Sequence, residues 1–332
     1  MEIGSTRQPS GHENDEGDKV KITQNNHGDI SFGPTMIKSI HSDFLIHWTG
    51  DDIDKDYDKG WWDKNETKIN TSIIDPYLKR LKYILKYGLW MNRERDFIKF
   101  KKEIKIPAVA RTCFTELKLS ETRIHAIKFG RLGIGFKRMF VFDRMGFPMI
   151  YFRPEKENWL LSPILSDASK KEIKEFWACF LKSMDEELIP GQFLKYKQFD
   201  ESEWRIIYSN RIKEKLRSMG KIDICRLFKK PNDIPDSSFH DYVKENDKRK
   251  RLEYLIPLED SRIEKCSRWF AMIIYPSLAV KVASEADEEI RSEILRLKPL
   301  ALRVDMEASY TSASCEKYSK PIEIDLAACR NF

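Results

Sequence analysis

In two short stretches of the sequence, side chains of types used in binding and catalysis lie next to apolar runs. The stretch IHWTG, residues 46–50, ends a β-prone run with His47 and Thr49. The stretch ESEWR, residues 201–205, alternates so that its two carboxylates share one side of a predicted strand. Because a carboxylate fixed at the edge of a cleft stabilises a developing positive charge, Glu203 is a candidate catalytic residue.

Each of these features also has a purely structural interpretation. A single histidine in an apolar run is commonly a core histidine whose ring nitrogens are satisfied by the backbone. Glu203 and Arg205 on one side of a strand are more typical of a solvent-facing ion pair, which contributes little to stability. Gly133 and Gly135 form a G-x-G pattern without a third glycine inside an apolar strand, where close strand packing explains them better than nucleotide binding.

The composition is that of a globular protein with a sizeable core. The chain has 332 residues, of which 41% are hydrophobic and 12% aromatic, enough for one large domain. The 59 Lys and Arg residues against 53 Asp and Glu leave a net charge of +6, which permits an anionic partner without requiring one. P-loop, H-E-x-x-H and G-x-S-x-G motifs do not occur in the sequence, which excludes the common kinase and hydrolase sites that use them.

The cysteines and the hydropathy pattern indicate the compartment. The six cysteines form no C-x-x-C pair and no close cluster with histidine, so we expect reduced thiols, no disulfide framework and no metal site. The N-terminal residues do not have the pattern of a secretion signal, and the longest apolar run is far shorter than eighteen residues. The sequence therefore predicts a cytoplasmic protein that does not interact with a membrane.

Three segments are predicted along the chain. Residues 1–40 are polar and are predicted to be a flexible tail, because they offer little apolar surface to offset the entropy of ordering. Residues 41–305 are predicted to form one α+β core domain, and residues 306–332 a loosely held C-terminal tail. Strand patterns in the core do not alternate regularly with helix patterns, which predicts a single mixed, mostly antiparallel sheet with flanking helices.

Apolar residues recur at spacings of three and four in two prominent stretches, which predicts amphipathic helices. One begins at Thr71 or Ser72, with Asp75 before a proline as the alternative start, and ends before Gly88. The other, residues 167–188, is the clearest helix pattern in the chain. Further elements are expected as strands at 43–48, 108–115, 148–153, 193–199, 203–208, 252–258, 270–275 and 300–304, a strand followed by a helical turn at 132–142, and helices at 120–130 and 284–297.

The order of these motifs resembles the AbiGi family of bacterial abortive-infection proteins. The resemblance is carried by IHWTG, a helix ending in ILKYGLW, the block ARTCFTELKLSETRIHAIKFGRLGIGFKR, then FPMIYFRPE and ESEWR, over roughly residues 44–205. Members of that family are described as the antitoxin-like half of a two-gene phage-resistance system. The resemblance therefore implies a role in antiviral defence and a protein partner encoded nearby.

The opening elements also resemble ADP-ribosyltransferase folds, including the DNA-modifying DarT-type toxins. In those folds a strand histidine and a neighbouring threonine contact the adenosine ribose of NAD, an aromatic residue packs against nicotinamide, and a glutamate on a late strand serves the nicotinamide ribose. The resemblance implies an ADP-ribosyltransferase-like domain with NAD as its cofactor and a nucleic acid or protein as the acceptor. It assigns the cofactor to His47, Thr49 and the flanking Trp48 and Gly50, the aromatic position to Phe129 or Tyr151, and catalysis to Glu203.

Two functions follow from these resemblances. In the first, the chain is an NAD-dependent ADP-ribosyltransferase or an NAD-cleaving effector, in which Glu203 stabilises the oxocarbenium character of the breaking glycosidic bond. In the second, it is a non-enzymatic antitoxin or regulatory partner of a neighbouring toxin on the same scaffold. Convergence of His47 and Glu203 on one concave pocket favours the enzyme, whereas the enzyme hypothesis fails if the two residues face apart or are capped by the core.

Overall fold

We analysed a computed structural model of the chain. It describes residues 22–24, 30–32, 44–56, 71–95, 97–100, 102–116, 122–152, 175–184, 186–188, 195–197, 202–246, 251–259, 269–297 and 322–325.

The contacts divide the chain into two units, Met1–His41 and Ser42–Phe332. In the first unit, strands β1 (Ile22–Gln24) and β2 (Ile30–Phe32) form an antiparallel pair. The segment predicted as a flexible polar tail therefore contains a short hairpin.

The second unit contains the remaining strands and all of the described helices. Its strands are β3 (Phe44–Thr49), β4 (Leu89–Glu94), β5 (Phe97–Phe100), β6 (Lys102–Lys105), β7 (Val109–Glu116), β8 (Leu132–Lys137), β9 (Phe147–Pro148), β10 (Ile150–Phe152), β11 (Leu181–Ser183), β12 (Glu186–Leu188), β13 (Lys195–Lys197), β14 (Glu203–Tyr208), β15 (Leu252–Ile256), β16 (Phe270–Tyr275) and β17 (Ile322–Asp325). Its α-helices are α1 (Asp51–Asp56), α2 (Ile74–Tyr87), α3 (Thr122–Phe129), α4 (Arg138–Phe142), α5 (Asn210–Ser218), α6 (Ile222–Cys225), α7 (Ser237–Asn246), α8 (Leu278–Ala286) and α9 (Glu288–Leu297).

Nine of these strands form one sheet that forks at β7. Strand β14 pairs along one edge of β7, and β9 continues the sheet beyond β14. On the other edge, β4 pairs with the first residues of β7 and leads to β15, whereas β3 pairs with the last residues and leads to β8, β16 and β17. Every pair in this sheet is antiparallel except β16 with β17, so the predicted α+β class with a mostly antiparallel sheet and flanking helices is confirmed.

The two faces of the sheet pack against different layers. The main core lies on the face that carries Leu45, Phe114 and Ile206, and it receives α2, α4 and α9. On the opposite face, a smaller core around Ile207 includes residues of β5, β6, β10 and β11, and another lies around Ile46. The fork and its two faces determine which predicted site residues can meet.

Helix α2 joins the two branches of the fork, since it lies between β3 and β4 in the chain. Its buried side chains Tyr77, Leu81, Ile84 and Leu85 follow the predicted spacing of three and four, so this amphipathic helix is confirmed. It ends at Gly88, whose backbone N–H donates to the Ile84 carbonyl at 2.8 Å.

Gly88 is required by both its dihedral angles and its surroundings. Its φ of 106° is a conformation that other L residues rarely adopt. A Cβ at this position would lie 2.1 Å from the carbonyl oxygen of Ile256 on β15. The glycine thus allows α2 to turn directly into β4 against a neighbouring backbone.

The predicted helix at 167–188 is wrong over its described part. Residues Phe176–Phe180 form a short 3-10 helix, followed by the strands β11 and β12. Strand β11 pairs in parallel with β10, and Ala178, Cys179 and Leu181 are buried in the smaller core. Aromatic side chains in this stretch suit a pleated surface as well as a helix, and the pairing with β10 decides between them.

Other differences lie at short elements. Helix α1 lies between the strand predicted at 43–48 and the helix predicted from Thr71, and β17 joins the main sheet from within the segment predicted to be a loosely held tail. In β17 the pattern Ile-Glu-Ile-Asp is only four residues long, too short to predict a strand by alternation. The strand predicted at 300–304 lies outside the described residues.

Of the helices that the structure describes, none has the length and hydropathy to cross a membrane.

Candidate functional site

The fork leaves the middle of one edge of β7 without backbone partners from β3 or β4. Side chains take their place: the Thr112 hydroxyl donates to the Trp90 carbonyl at 2.8 Å, and His47 Nδ1 lies 2.9 Å from the Cys113 carbonyl. At the gap, specific hydrogen bonds therefore link β7 to β3 on one side and to β4 on the other.

His47 is fixed as a neutral imidazole. A carbonyl oxygen only accepts hydrogen bonds, so we assign the ring hydrogen to Nδ1, which leaves Nε2 as an acceptor. Burial lowers the pKa of His47 to about 4, against the opposing effect of the hydrogen bond to Cys113, and the positive charge of Arg80 lowers it further. Since the side chain is partly exposed, this neutral acceptor is accessible at the edge of the gap.

Thr49 lies two residues further along the same face of β3 and is held by Arg80 of α2. Arg80 Nη1 donates to the Thr49 hydroxyl at 2.9 Å, and the guanidinium also makes a bidentate pair with Asp52 at 3.3 and 2.6 Å. Its remaining donors go to the Tyr242 hydroxyl and to Asn246. All five guanidinium N–H groups are used, so Arg80 positions Thr49 and is not free to bind a ligand.

Glu203 belongs to a different cluster. Its carboxylate accepts hydrogen bonds from Arg205 at 2.6 and 3.4 Å and from Lys182 at 2.7 Å, and its side chain is 7% exposed. Burial alone would raise the pKa of Glu203, but the charges of Arg205 and Lys182 outweigh it and hold the pKa well below the usual range. The carboxylate is therefore anionic at neutral pH, and most of its four acceptor positions are occupied.

Cys113 lies between the two clusters. Its carbonyl accepts from His47, whereas its thiol contacts the Glu203 carboxylate from the neighbouring strand. Burial, together with the charge of Glu203, raises the pKa of the Cys113 thiol to about 12. The thiol is thus protonated, and it is a poor nucleophile at neutral pH.

The strand register places His47 and Glu203 on opposite faces of the sheet. Ile46 and Glu203 both lie opposite Thr115 in adjacent antiparallel pairs, so their side chains share one face. His47, next in sequence to Ile46, points to the other face, where its ring centroid is 5.8 Å from that of Phe114. The structure thus separates the two residues whose convergence would have favoured the NAD-cleaving enzyme.

The other predicted cofactor residues divide between several places. Trp48 is buried in the small core around Ile46, and Phe129 packs against that core on the face opposite His47. Gly50 forms the turn into α1 with a φ of 107°. Tyr151 lies beside Glu203, because its hydroxyl accepts from the Glu203 backbone N–H at 2.9 Å.

Two residues of each of the ESEWR and G-x-G patterns can be interpreted further. Glu203 and Arg205 are on one side of the strand as expected, but both are buried, so the expected exposure of the pair is wrong. A Cβ at Gly133 or Gly135 would lie within 3.0 Å of side chains on β3 or β16. These glycines are explained by strand packing, the favoured interpretation of the pattern.

Sequence reasoning missed Arg80, Lys182 and Cys113. For Arg80 a signal exists: it follows Tyr77 by three and precedes Ile84 by four, so it lies beside the apolar side of α2. For Lys182 no signal exists, because its contact with Glu203 depends on the pairing of β10 with β11.

Two grooves can be described, and neither includes a predicted site residue. One of about 420 Å³ lies between α2, α7 and α9, and one of about 460 Å³ lies between α7, β15 and the segment after α6. Among the described side chains, no group of three His, Cys, Asp or Glu residues is arranged to hold a metal ion.

Comparison of the chain with protein-family models, curated proteins and solved structures found no significant match.

Proposed function

We propose that this chain is an anti-phage abortive-infection protein with an ADP-ribosyltransferase-like domain that binds NAD at the fork between β3 and β4. The observation that carries the proposal is the pair His47 and Thr49, which present a neutral acceptor and an ordered hydroxyl side by side on partly exposed positions of one strand face. The choice of NAD and of phage defence comes from the resemblances.

The pair has the chemistry that a ribose requires. A ribose diol offers both donors and acceptors, so Nε2 of His47 accepts from one hydroxyl while the Thr49 hydroxyl, which already accepts from Arg80, donates to the other. Because both groups are ordered before the ligand arrives, binding costs little side-chain entropy.

Glu203 has a structural role in this proposal. A carboxylate held between two cations belongs to a cluster with a net positive charge, which is unsuited to stabilising a cationic sugar unless the ion pairs open. Cleavage of NAD by Glu203 stays a prediction of the resemblance.

Calorimetric titration with NAD and with ADP-ribose tests the binding site. The variant His47→Asn keeps a donor where Nδ1 lies and removes the acceptor at Nε2, whereas His47→Gln restores an acceptor near Nε2. We expect His47→Asn to weaken binding about tenfold or more, His47→Gln to recover part of the loss, and Thr49→Ser to bind better than Thr49→Val. Absence of binding by the natural chain, or equal binding by all variants, would contradict the proposal.

Release of nicotinamide from NAD separates binding from catalysis. We expect Glu203→Gln, under conditions where it is folded, to bind NAD as the natural chain does and to show the same low release. Release that depends on Glu203 would overturn its structural role and support the transferase activity.

A second candidate is a non-enzymatic antitoxin or regulatory partner of a neighbouring toxin. The separation of His47 from Glu203 and the occupied carboxylate of Glu203 favour it. Its test is co-purification with the product of the adjacent gene and neutralisation of that protein's toxicity by both the natural chain and Thr49→Val. Neutralisation that fails in Thr49→Val would instead link the effect to ligand binding.

A further inference from the structure

One segment of the second unit is strongly basic. Residues 210–230 contain eight Lys and Arg residues and two acids, a net +6. The whole chain has 59 basic and 53 acidic residues, so outside this segment 51 of each remain and the charges balance. These 21 residues, which form α5, α6 and the loop after them, therefore carry the same net charge as the whole chain.

Except for Lys213, which is half-buried, the basic side chains of this segment are exposed, and most of them lack acidic partners. Arg226 pairs with Asp223 at 3.4 Å, and Arg211 stacks over Phe176 at 5.3 Å. Within the described part of the chain no ion pair is formed by Lys213, Lys215, Arg217, Lys221, Lys229 and Lys230. By contrast, Lys79, Arg93 and Arg291 elsewhere on the surface each have a carboxylate within 4 Å.

The segment is a rigid support for these charges. Ile212 and Leu216 attach α5 to the core, which turns the basic positions outward. Ser209 caps α5 by accepting from the Ile212 backbone N–H at 3.2 Å. The loop after α6 is fixed by two backbone hydrogen bonds of 3.0 and 2.8 Å between Lys229 and Leu255.

The two ends of the segment meet at the groove of about 460 Å³. Asn210 and Lys230 line it together with Asn232, His240 and Lys244. These side chains supply amide, imidazole and ammonium groups, and the groove contains a single acid, Glu253. An anionic chain that follows the basic segment therefore meets further hydrogen-bonding groups at its end.

We propose that the basic surface formed by residues 210–230 binds nucleic acid through its phosphates. A polyphosphate chain matches a cluster of exposed cations on a rigid support, because each contact releases condensed counterions. An anionic membrane fits less well, since the exposed apolar side chains here are only Met219 and Ile222, far less than an interfacial helix offers. This binding does not depend on NAD or on catalysis.

The test is fluorescence anisotropy of the full chain with a labelled DNA duplex and a labelled single-stranded RNA, titrated over a range of salt concentrations. The variant Lys215→Gln, Arg217→Gln, Lys221→Gln removes three unpaired charges. The matched control, Lys79→Gln, Arg93→Gln, Arg291→Gln, makes the same change in net charge at paired positions. A third variant, Lys215→Arg, Arg217→Lys, Lys221→Arg, keeps the charge.

We expect the natural chain to bind with a Kd of about 10⁻⁴ to 10⁻⁶ M at physiological salt, as phosphate-directed binding does. The first variant should bind at least about tenfold more weakly, with a salt dependence of log K less steep by about three for the duplex. The control and the charge-conserving variant should bind as the natural chain does. Equal loss in the control, no binding to either nucleic acid, or binding only to phosphatidylserine vesicles would overturn the proposal.

Discussion

At the scale of single residues, His47 and Glu203 are each held in one protonation state by their surroundings. Burial keeps His47 neutral, with a pKa of about 4, whereas Arg205 and Lys182 keep Glu203 anionic. Neither residue is therefore poised to exchange a proton near neutral pH. We therefore expect His47 to act as a hydrogen-bond acceptor and Glu203 to act as the structural counter-charge of Arg205 and Lys182.

The neutral state of His47 predicts a pH dependence of stability. Its pKa is lowered from 6.5 to about 4 on folding, so between these values the unfolded chain takes up a proton that the folded chain does not. Stability from His47 is thus present above pH 6.5 and is lost as the pH falls toward 4. From pH 7 to 5 the free energy of unfolding should fall by up to about 2 kcal/mol more in the natural chain than in His47→Asn. Urea denaturation of both proteins at the two pH values measures this, and identical losses would refute the assignment.

The ion pairs of Glu203 predict a large effect of its removal on stability. Glu203→Gln leaves the buried guanidinium of Arg205 and the partly buried ammonium of Lys182 without this carboxylate, which should lower the free energy of unfolding by about 3 to 5 kcal/mol. The control Glu94→Gln breaks a pair with Arg111 whose carboxylate side chain is 42% exposed, and it should cost less than about 1 kcal/mol. Urea denaturation at pH 7 compares them. A Glu203→Gln protein as stable as Glu94→Gln would mean that Glu203 is not a structural residue.

At the scale of elements, α2 connects the two branches of the fork at both of its ends. Arg80, in the middle of the helix, fixes the end of β3 through Thr49, and Gly88 passes the chain directly into β4. The geometry of the gap therefore depends on the contact of Arg80 with Thr49 and on how α2 ends at Gly88.

Gly88→Ala tests that dependence. The new Cβ would meet the Ile256 carbonyl oxygen at 2.1 Å in a backbone conformation unsuited to alanine, so the free energy of unfolding should fall by about 3 kcal/mol or more. Gly220→Ala is the matched control, because Gly220 also has a positive φ, of 71°, but has no neighbouring atom within 4 Å of a Cβ. We expect it to cost about 1 to 2 kcal/mol. Thermal and urea unfolding of both variants measures the difference, and equal costs would show that the contact with β15 does not matter.

A local sequence pattern predicts a helix or strand correctly when the residues of that element are enough to identify it. Helix α2, the strand and helical turn formed by β8 and α4, and strand β14 are confirmed. The apolar spacing of α2 decides which side of the helix is buried, whereas β8 and β14 are buried on both faces. The stretch after residue 175 was predicted as a helix because its aromatic spacing suits one, yet its partner β10 lies about thirty residues away in sequence. Pairing over that distance leaves no local signal.

At the scale of the whole molecule, the fork in the sheet decides what the predicted site can be. The alternation of IHWTG and of ESEWR correctly predicts which residues within each strand share a side. It does not predict that Thr115 pairs with both Ile46 and Glu203. Because of this register, the side chains of His47 and Glu203 lie on opposite faces of the sheet. The individual residues could be selected from the sequence, whereas their relation required long-range pairing.

The most direct test of NAD binding at the fork is the free energy of unfolding as a function of NAD concentration. A ligand that binds only the folded state stabilises it by about 2.7 kcal/mol at one hundred times its Kd. We predict a stabilisation that grows with the logarithm of NAD concentration in the natural chain and is shifted to about tenfold or higher concentrations in His47→Asn. The absence of stabilisation, or the same dependence in both proteins, would contradict the account.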